Sequence, residues 1–237
     1  MIHVTGHRGA RDLAPENTIA GFTLAGDLGC HAVELDVNLT RDGQLAVIHD
    51  DSLDRTTDGS GAVASYTLRE LQRFDAGNGE RIPSLEQVLE HIRPSAMLVQ
   101  IELKGEGTEL VAPEVVRRQA MAQRVRFTSF FHRRLLEIRR LLPEAQTGVL
   151  TDTNPVDPLH MLRSAMADTF HVKHPRIDRW LVEQLHQAGH RFVALGKIVD
   201  NQTIDRLVEL EVDAIGSDRP DLVIERLKHH SQYQPPG

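Results

Sequence analysis

The chain has little cysteine, few aromatic residues, a deficit of positive charge and no long apolar run. These shortages argue against several classes of structure and partner. Its single cysteine, Cys30, cannot form an intramolecular disulfide, and we expect it to be a small buried hydrophobic side chain. The net charge of −7 argues against a general surface for nucleic acid or a stable association with anionic membranes. No apolar run approaches the roughly 20 residues that a membrane-spanning helix needs.

These shortages also set expectations for location and partners. The lack of disulfides favours a reducing compartment, and the first residues show neither the basic nor the apolar region of a signal peptide. We therefore predict a cytoplasmic protein whose partner is a small molecule. The sequence leaves open whether it forms a homo-oligomer.

The rest of the composition is that of an ordinary globular protein, with 40% hydrophobic and 26% charged residues. Short β-like runs alternate with amphipathic helical patterns along the whole chain, which predicts βαβ units and a parallel sheet. Because no break in composition interrupts this alternation, we predict one domain over residues 1–237, an irregular (β/α)8 TIM barrel, with a frayed tail over 231–237. The strand candidates exceed by one the eight that such a barrel holds. The turn at Asp42-Gly43 leaves no room for a helix, so we expect at least one barrel helix to be missing.

Two carboxylates, Glu34 and Asp36, alternate with Val33, Leu35 and Val37 in one strand-like run. Residues i and i+2 of a strand point to the same face, so the two acids would project together. Two neighbouring buried carboxylates repel each other unless a positive charge lies between them, and a hard divalent cation takes oxygen ligands. The alternative interpretation is an amphipathic edge strand with both charges in water.

Other polar residues stand at the ends of the predicted strands, where the chemistry of such a barrel gathers. They are His7, Arg8, His49, Asp50, Glu102, Lys104 and Ser129. A metal held by carboxylates and flanked by cations suits a phosphate ester, and two histidines can divide the roles of base and acid near neutral pH. Each residue alone has an ordinary structural interpretation; Glu102 and Lys104, for example, could be a surface pair worth about 0–1 kcal/mol.

The ordered motifs of the chain resemble those of the glycerophosphodiester phosphodiesterase family. They are His7-Arg8-Gly9, Ala14-Pro15-Glu16-Asn17-Thr18, Glu34-Leu35-Asp36-Val37, His49-Asp50, Leu53-Asp54-Arg55-Thr56-Thr57, Ile82-Pro83-Ser84-Leu85, Glu102-Leu103-Lys104, Ser129-Phe130 and Ser217-Asp218-Arg219-Pro220-Asp221. The resemblance implies a TIM barrel of the phospholipase-C-like phosphodiesterase type. It also implies hydrolysis of glycerophosphodiesters to glycerol 3-phosphate and an alcohol, with one divalent cation, Mg²⁺ or Ca²⁺.

The resemblance also implies roles for individual residues. The expected metal ligands are Glu34, Asp36 and Glu102; the expected acid–base pair is His7 and His49; and the expected phosphate contacts are Arg8 and Lys104. Beyond what the motifs imply, we predict that Glu16, Lys173, Leu195 and Lys197 line the substrate pocket. The sequence does not determine which histidine is the acid. It also leaves open whether water or an adjacent substrate hydroxyl, which would give a cyclic phosphate, is the nucleophile.

The chain departs from the family pattern at the end of its last catalytic strand. The family usually has an aromatic residue there, whereas residues 194–198 contain none, and we expect the sole tryptophan, Trp180, to pack within a helix. Lys173 stands near a strand end where the family often has asparagine. Our hypothesis is that Lys173 or Lys197 favours a more anionic or more polar leaving group; the alternative is two solvated lysines.

Two other functions compete with the first. A lysophospholipase D-like hydrolase of lipid diesters would need an exposed apolar rim, which an aromatic content of 4% does not suggest. A non-catalytic phosphodiester-binding barrel is disfavoured because both histidines and all three carboxylates are present.

Overall fold

The aliphatic and β-branched runs of the sequence form strands in the structure, a computed structural model that describes residues 1–236. The strands are β1 (His3–Gly6), β2 (Ala32–Leu39), β3 (Leu45–Val47), β4 (Leu98–Leu103), β5 (Val125–Ser129), β6 (Gln146–Thr151), β7 (Thr169–Lys173), β8 (Arg191–Gly196) and β9 (Ala214–Ser217). The α-helices are α1 (Ile19–Leu28), α2 (Leu68–Leu71), α3 (Leu85–Ile92), α4 (Thr108–Arg118), α5 (Arg133–Leu141), α6 (Pro158–Ala165), α7 (Arg179–Gln187), α8 (Asn201–Glu209) and α9 (Pro220–His229).

Parallel strands close on themselves as a barrel, which confirms the predicted (β/α)8 TIM fold. Within residues 1–236 the 8 parallel strands follow the order β1, β2, β4, β5, β6, β7, β8 and β9, and β1 pairs with both β2 and β9 to complete the ring. Helices pack around the outside, and the main hydrophobic core lies between them and the barrel. All eight strands therefore direct their C-terminal ends to one face of the molecule.

The extra strand candidate is β3, which lies outside the barrel. It pairs antiparallel with the end of β2, Val37 opposite Val47, after a tight turn in which Gly43 has a φ of +72°. The expectation that a barrel helix is missing is wrong: α3 follows β3 and supplies the helix between β2 and β4. A two-strand hairpin precedes that helix, so the short turn at Gly43 does not remove it.

The alternation in β2 places its apolar and acidic residues on opposite faces. Val33, Leu35 and Val37 are fully buried in the core under the helices. Glu34 and Asp36 face the barrel interior, where Glu34 is 5% exposed and Asp36 is 0% exposed. The edge-strand alternative for this run is therefore excluded.

The segment between β3 and α3 has a small hydrophobic cluster of its own. Its buried members are Ala46, Ile48, Leu53, Val63, Leu68, Leu71, Ala76 and Ile82. Asn38 on β2 also donates from Nδ2 to the carbonyl oxygens of Ile48 and Asp50, at 2.9 and 3.2 Å. Both features fix the loop that carries His49 against the mouth of the barrel.

Part of the tail that was expected to fray is bonded to the barrel. Ile2 N–H donates to the carbonyl of Gln232, and the Tyr233 hydroxyl donates to the carbonyl of Gly29 at 2.8 Å. His31 Nε2 lies 2.7 Å from the carbonyl of Gln234. The part of the expectation that concerns Gly237 lies outside the described residues.

Burial confirms one expectation about single residues and corrects another. Cys30 is fully buried, and burial raises its thiol pKa to about 12. Trp180 was expected to pack, but 45% of it is exposed in the first turn of α7. Among residues 1–236, the helices are all too short or too polar to cross a membrane.

Candidate active site

Three carboxylates meet inside the C-terminal mouth of the barrel. Glu34 and Asp36 come from β2 and Glu102 from the neighbouring β4, where Asp36 and Glu102 are register partners. One oxygen of each lies within 4.8 Å of the others, and within residues 1–236 no other acidic, histidine or cysteine side chains are grouped in this way. The structure thus brings together the three residues that were expected to hold a metal.

The charges of this cluster are not balanced by the protein alone. Burial and the nearby Asp36 raise the pKa of Glu34 well above its usual value, and the same two causes raise the pKa of Glu102 to about 7. Asp36 Oδ1 is buried and has no hydrogen-bond partner among residues 1–236. A set of oxygen donors with an unpartnered carboxylate oxygen fits a hard divalent cation such as Mg²⁺ or Ca²⁺.

A strained turn after β1 brings Arg8 into the cluster. Arg8 has a φ of +51°, and its backbone N–H donates to Glu34 Oε2 at 3.0 Å. Its guanidinium donates to Glu16 at 2.8 Å and lies 3.3 Å from Asp36 Oδ2. The following Gly9 has a φ of +89°, and a Cβ there would lie 2.6 Å from the backbone of Gly21. Only glycine fits this turn.

His7 is oriented by an aspartate from the other end of the chain. Its Nδ1 lies 2.5 Å from Asp218 Oδ1, although the two residues are 211 positions apart in sequence. Its Nε2 lies 3.9 Å from Glu34 Oε2. The imidazole therefore presents Nε2 to the carboxylate cluster while Nδ1–H donates to Asp218.

His49 approaches the cluster from the side of Glu102. Its Nδ1 lies 2.5 Å from Asp50 Oδ1, and its Nε2 lies 3.1 Å from Lys104 Nζ. Lys104 Nζ is also 3.1 Å from Glu102 Oε1. Burial lowers the pKa of His49, against the opposing charge of Asp36. The neutral ring donates from Nδ1 and accepts from the lysine at Nε2.

Arg55 bridges Asp50, which holds His49, and Glu16, which holds Arg8. Its guanidinium donates to both oxygens of Asp50, at 2.6 and 3.1 Å, and to both oxygens of Glu16, at 2.9 and 2.8 Å. Burial alone would raise the pKa of Glu16, but the hydrogen bonds from Arg55 and Arg8 lower it to about 2. The hydrogen bond from Arg55 likewise lowers the pKa of Asp50. Glu16, which was expected in the substrate pocket, instead supports Arg8.

A cavity of about 160 Å³ extends from these groups toward β5, β6, β7 and β8. Its outer wall consists of Phe130, Leu150, Lys173, Leu195 and Gly196. The lining contains one phenyl ring, that of Phe130, which follows β5 and not β8. Of the residues predicted for the substrate pocket, Leu195 and Lys173 line this cavity, whereas Lys197 is exposed and does not belong to the lining. Lys173 Nζ is paired with Asp152 at 2.8 Å.

Sequence reasoning missed the supporting residues of the site. Asp218, Arg55 and Asn17 were quoted only as parts of motifs, yet Asp218 orients His7, Arg55 bridges two acids, and Asn17 donates to Asp36 Oδ2 at 2.9 Å. The one signal that could have identified these three residues is that each belongs to one of the ordered motifs. Ser129, in contrast, is buried and donates to the carbonyl of Leu103, so it supports the strand end.

Comparison with known proteins agrees with this geometry. The model of the glycerophosphoryl diester phosphodiesterase family matches residues 7–222. A glycerophosphodiester phosphodiesterase of Caldanaerobacter subterraneus subsp. tengcongensis is 36% identical over 93% of this chain and 96% of its own length, and one of Bacillus altitudinis is 34% identical over 94% and 97%. Among solved structures, a phosphodiesterase of Oleispira antarctica in complex with its product sn-glycerol-3-phosphate superimposes with a TM-score of 0.88 and 31% identity, covering 95% of this chain and 96% of that one.

Proposed function

The chain belongs to the glycerophosphoryl diester phosphodiesterase family, and we propose that it hydrolyses glycerophosphodiesters to glycerol 3-phosphate and an alcohol, using one divalent cation and two histidines. The observation that carries the proposal is the carboxylate cluster with an imidazole on either side. Each imidazole is held at Nδ1 by an aspartate. Nε2 of His7 then lies 3.9 Å from Glu34, and Nε2 of His49 lies 3.1 Å from Lys104, which pairs with Glu102.

The phosphate would be bound where the carboxylates and the cationic side chains meet. A divalent cation held by Glu34, Asp36 and Glu102 would supply Lewis-acid neutralisation of a non-bridging phosphate oxygen. Arg8 and Lys104 would neutralise the charge that develops on the other oxygens. Glu16 fixes Arg8 for this role, and Glu102 and His49 fix Lys104.

The two histidines would transfer protons on opposite sides of the phosphorus. We assign His7 as the base, because its Nε2 faces the cluster with no lysine bonded to it in the described chain. We assign His49 as the acid that protonates the departing alkoxide. Binding of Lys104 to the substrate phosphate would free Nε2 of His49. That nitrogen would take up a proton from solvent, which the charge of Asp36 and the hydrogen bond to Asp50 favour, and would then pass it to the alkoxide. The nucleophile is water or the adjacent hydroxyl of the glycerol, and trapping of a cyclic phosphate distinguishes the two.

The test is a panel of phosphodiesters assayed for release of glycerol 3-phosphate. EDTA should abolish turnover, and Mg²⁺ or Ca²⁺ should restore it; the ion that restores more identifies the preferred metal. His7→Ala and His49→Ala should each lower kcat by about 10²–10⁴-fold on a natural alkyl diester. On a diester with a good leaving group, only His49→Ala should recover, because that alkoxide needs no proton.

A matched control is His186→Ala, which removes a histidine that is also paired with an aspartate. His186 Nε2 lies 2.9 Å from Asp213, and this pair is remote from the carboxylate cluster. Its kcat should equal that of the wild type. A wild-type protein that binds diesters yet releases no glycerol 3-phosphate with any divalent metal would contradict the proposal and favour the non-catalytic alternative.

A further inference from the structure

A second cavity lies at the N-terminal end of the barrel, on the face opposite the active site. It has a volume of about 60 Å³, and residues at the starts of several strands line it, among them His3, Arg126, Gln146 and Arg191. A single water molecule occupies about 10–15 Å³ of such space, so there is room for about four to six small polar groups. We call this space the basal cavity.

Two guanidinium groups beside the basal cavity have no carboxylate partner. Arg126 on β5 donates from Nε and Nη2 to Gln146 Oε1, at 3.3 and 2.9 Å. Arg191 begins β8, and within residues 1–236 neither arginine forms a salt bridge. Burial, followed by the charge of Arg191, lowers the pKa of Arg126 to about 10. Both guanidinium groups are still charged at neutral pH, so the basal cavity has two positive charges that no ion pair compensates.

The acidic residues near the basal cavity are already bonded to other groups. Asp213 is the one acid in the lining among residues 1–236. Its Oδ2 lies 2.9 Å from His186 Nε2 and accepts from the N–H of Phe192 at 2.7 Å. The charge of Asp168 also reaches this region, but Asp168 is paired with Arg139. Neither acid is therefore free to neutralise the two unpaired guanidinium groups.

Further hydrogen-bond donors line the basal cavity. Gln146 accepts from Arg126 at Oε1, which leaves its amide N–H groups to donate. Arg124 belongs to the lining, and its Nε is buried without an acceptor among residues 1–236. His3 adds an imidazole whose pKa is lowered by burial and by the charges of His31 and the two unpaired arginines. Donors and positive charge therefore meet around one small space, as an anion requires.

Size and donor geometry identify the class of anion. A guanidinium presents paired N–H donors that match two oxygens of one oxyanion. A tetrahedral oxyanion has four oxygens, which the volume of the basal cavity accommodates, and a dianion would balance both guanidinium charges. A halide ion offers one atom and cannot occupy both sets of paired donors. A nucleic acid is excluded by size and by the net charge of −7.

We propose that the basal cavity binds a small tetrahedral dianion of the phosphate or sulfate class between Arg126 and Arg191. The inference does not rest on the proposed function, because the carboxylates and histidines assigned to catalysis do not line this cavity. Thr5, Gln100 and Val193 line both the basal cavity and the substrate cavity, so one layer of side chains separates them. The tests must therefore distinguish an anion in one cavity from an anion in the other.

The first test is calorimetric titration of the protein with sulfate in EDTA, which should show one binding site. Arg191→Gln should weaken binding by about 10–100-fold, the loss expected when one charged hydrogen-bonding partner is removed. Arg191→Lys keeps the charge without the planar fork, so it should recover part of the affinity. Because Arg191 is exposed, we expect both variants to fold, and an unchanged circular dichroism spectrum would verify this.

Two variants at the other face of the barrel are the controls. Arg133→Gln removes an exposed arginine at the start of α5 and should keep the affinity of the wild type. Lys104→Ala removes a cation that is expected to contact the substrate phosphate, and it should keep that affinity too. Loss of sulfate binding in Lys104→Ala but not in Arg191→Gln would place the anion in the active site and overturn the inference. Absence of binding to the wild type, or equal affinity in Arg191→Gln, would do the same.

Thermal denaturation gives a second readout and distinguishes the classes of ion. Sulfate or phosphate at about 100 times its Kd should raise the Tm of the wild type by roughly 5–10 °C. Sulfate also stabilises proteins without a specific site, so the measure is the difference between the wild type and Arg191→Gln at the same concentration. Chloride and acetate at equal ionic strength should give a much smaller difference. A difference as large with chloride would mean that the arginines respond to salt alone and that the basal cavity is not a site for tetrahedral oxyanions.

Discussion

Arg55 is the residue through which the two halves of the site are connected. Its guanidinium binds Asp50, and Asp50 orients His49. The same guanidinium binds Glu16, and Glu16 accepts a hydrogen bond from Arg8. Lysine has the charge but not the planar fork needed to contact four carboxylate oxygens at once. We therefore expect Arg55→Lys to lower kcat by about 10–100-fold, as is typical when the support of a site is lost, with a smaller change in KM. Steady-state kinetics on a glycerophosphodiester would measure this.

Two further measurements separate positioning from simple destabilisation. Arg226→Lys changes a second bidentate arginine, which donates to Asp205 at 2.6 and 2.7 Å on the outer helices, and it should leave kcat unchanged. Added guanidinium ion should partly restore kcat in Arg55→Gly, because it can reoccupy the space between the two acids. An Arg55→Lys enzyme that loses thermal stability but keeps its kcat would show that the arginine has only a structural role.

His171 should make the protein sensitive to acid. It is fully buried in the barrel, where Nε2 lies 2.8 Å from Thr169 Oγ1 and Nδ1 has no partner in the described chain. Burial lowers its pKa well below 6.5. Above pH 6.5 the ring is neutral in both states. As the pH falls below that value, the unfolded chain takes up a proton that the folded chain does not, so the free energy of unfolding falls by up to about 1.4 kcal/mol per pH unit.

The test is to measure the free energy of unfolding with denaturant at a series of pH values, from about 6.5, the ordinary histidine pKa, down to mildly acidic pH. His171→Gln should give a shallower loss of stability with falling pH than the wild type. The readout is the slope, so a lower stability at neutral pH from the lost ring volume does not affect it. His229→Gln, at an exposed position at the end of α9, is the control and should keep the wild-type slope. Equal slopes in all three proteins would contradict the role given to His171.

At the scale of elements, β2 and β4 hold three like charges that a cation should stabilise. A metal at about 100 times its dissociation constant adds about 2.7 kcal/mol to the free energy of unfolding, which raises Tm by roughly 5–10 °C in a chain of this size. Because burial and Asp36 raise the pKa of Glu102, its negative charge is unfavourable without metal. We expect Glu102→Gln to raise Tm in EDTA, to abolish the metal-dependent rise, and to abolish turnover.

Thermal denaturation with EDTA, Mg²⁺ and Ca²⁺ measures all of these effects. Glu225→Gln is the control, because it removes a carboxylate that is exposed on α9. It should retain the metal-dependent rise of the wild type. If Glu102→Gln still gains as much stability from either metal, the cation is bound elsewhere and the ligand assignment fails.

The helices and strands were largely predictable from the sequence, but the contacts between distant segments were not. Both α2 and α3 begin at capping boxes, Thr67 with Glu70 and Ser84 with Gln87, which are local signals in the sequence. The direction of β3 could not be predicted, since it depends on pairing with the end of β2. The pairing of His7 with Asp218 spans 211 residues, and no local pattern carries such a contact. The exposure of Trp180 likewise depends on which segments happen to cover it.

At the scale of the molecule, the two ends of the barrel have separate roles. The carboxylates and imidazoles lie at the C-terminal ends of the strands. On the opposite face, His31 stacks on His3 with ring centroids 4.6 Å apart, and Tyr233 packs edge-on against His31. In barrels of this kind, residues on the N-terminal face serve stability, whereas those on the C-terminal face serve catalysis. Substitutions on the N-terminal face should therefore lower stability without lowering activity.

Tyr233 provides the test of that separation. Its hydroxyl donates to the carbonyl of Gly29, and Lys228 Nζ lies 5.4 Å from the ring centroid. Tyr233→Phe removes one hydrogen bond and should lower stability by about 1 kcal/mol, or roughly 2–4 °C in Tm. Tyr233→Ala also removes a half-buried ring and should cost about 2 kcal/mol, less than the loss of a fully buried ring. Calorimetry should show this graded loss, and kcat/KM well below Tm should match the wild type in both variants. A fall in kcat/KM without a fall in Tm would mean that the terminus acts on the site through the barrel, and that the two faces are coupled.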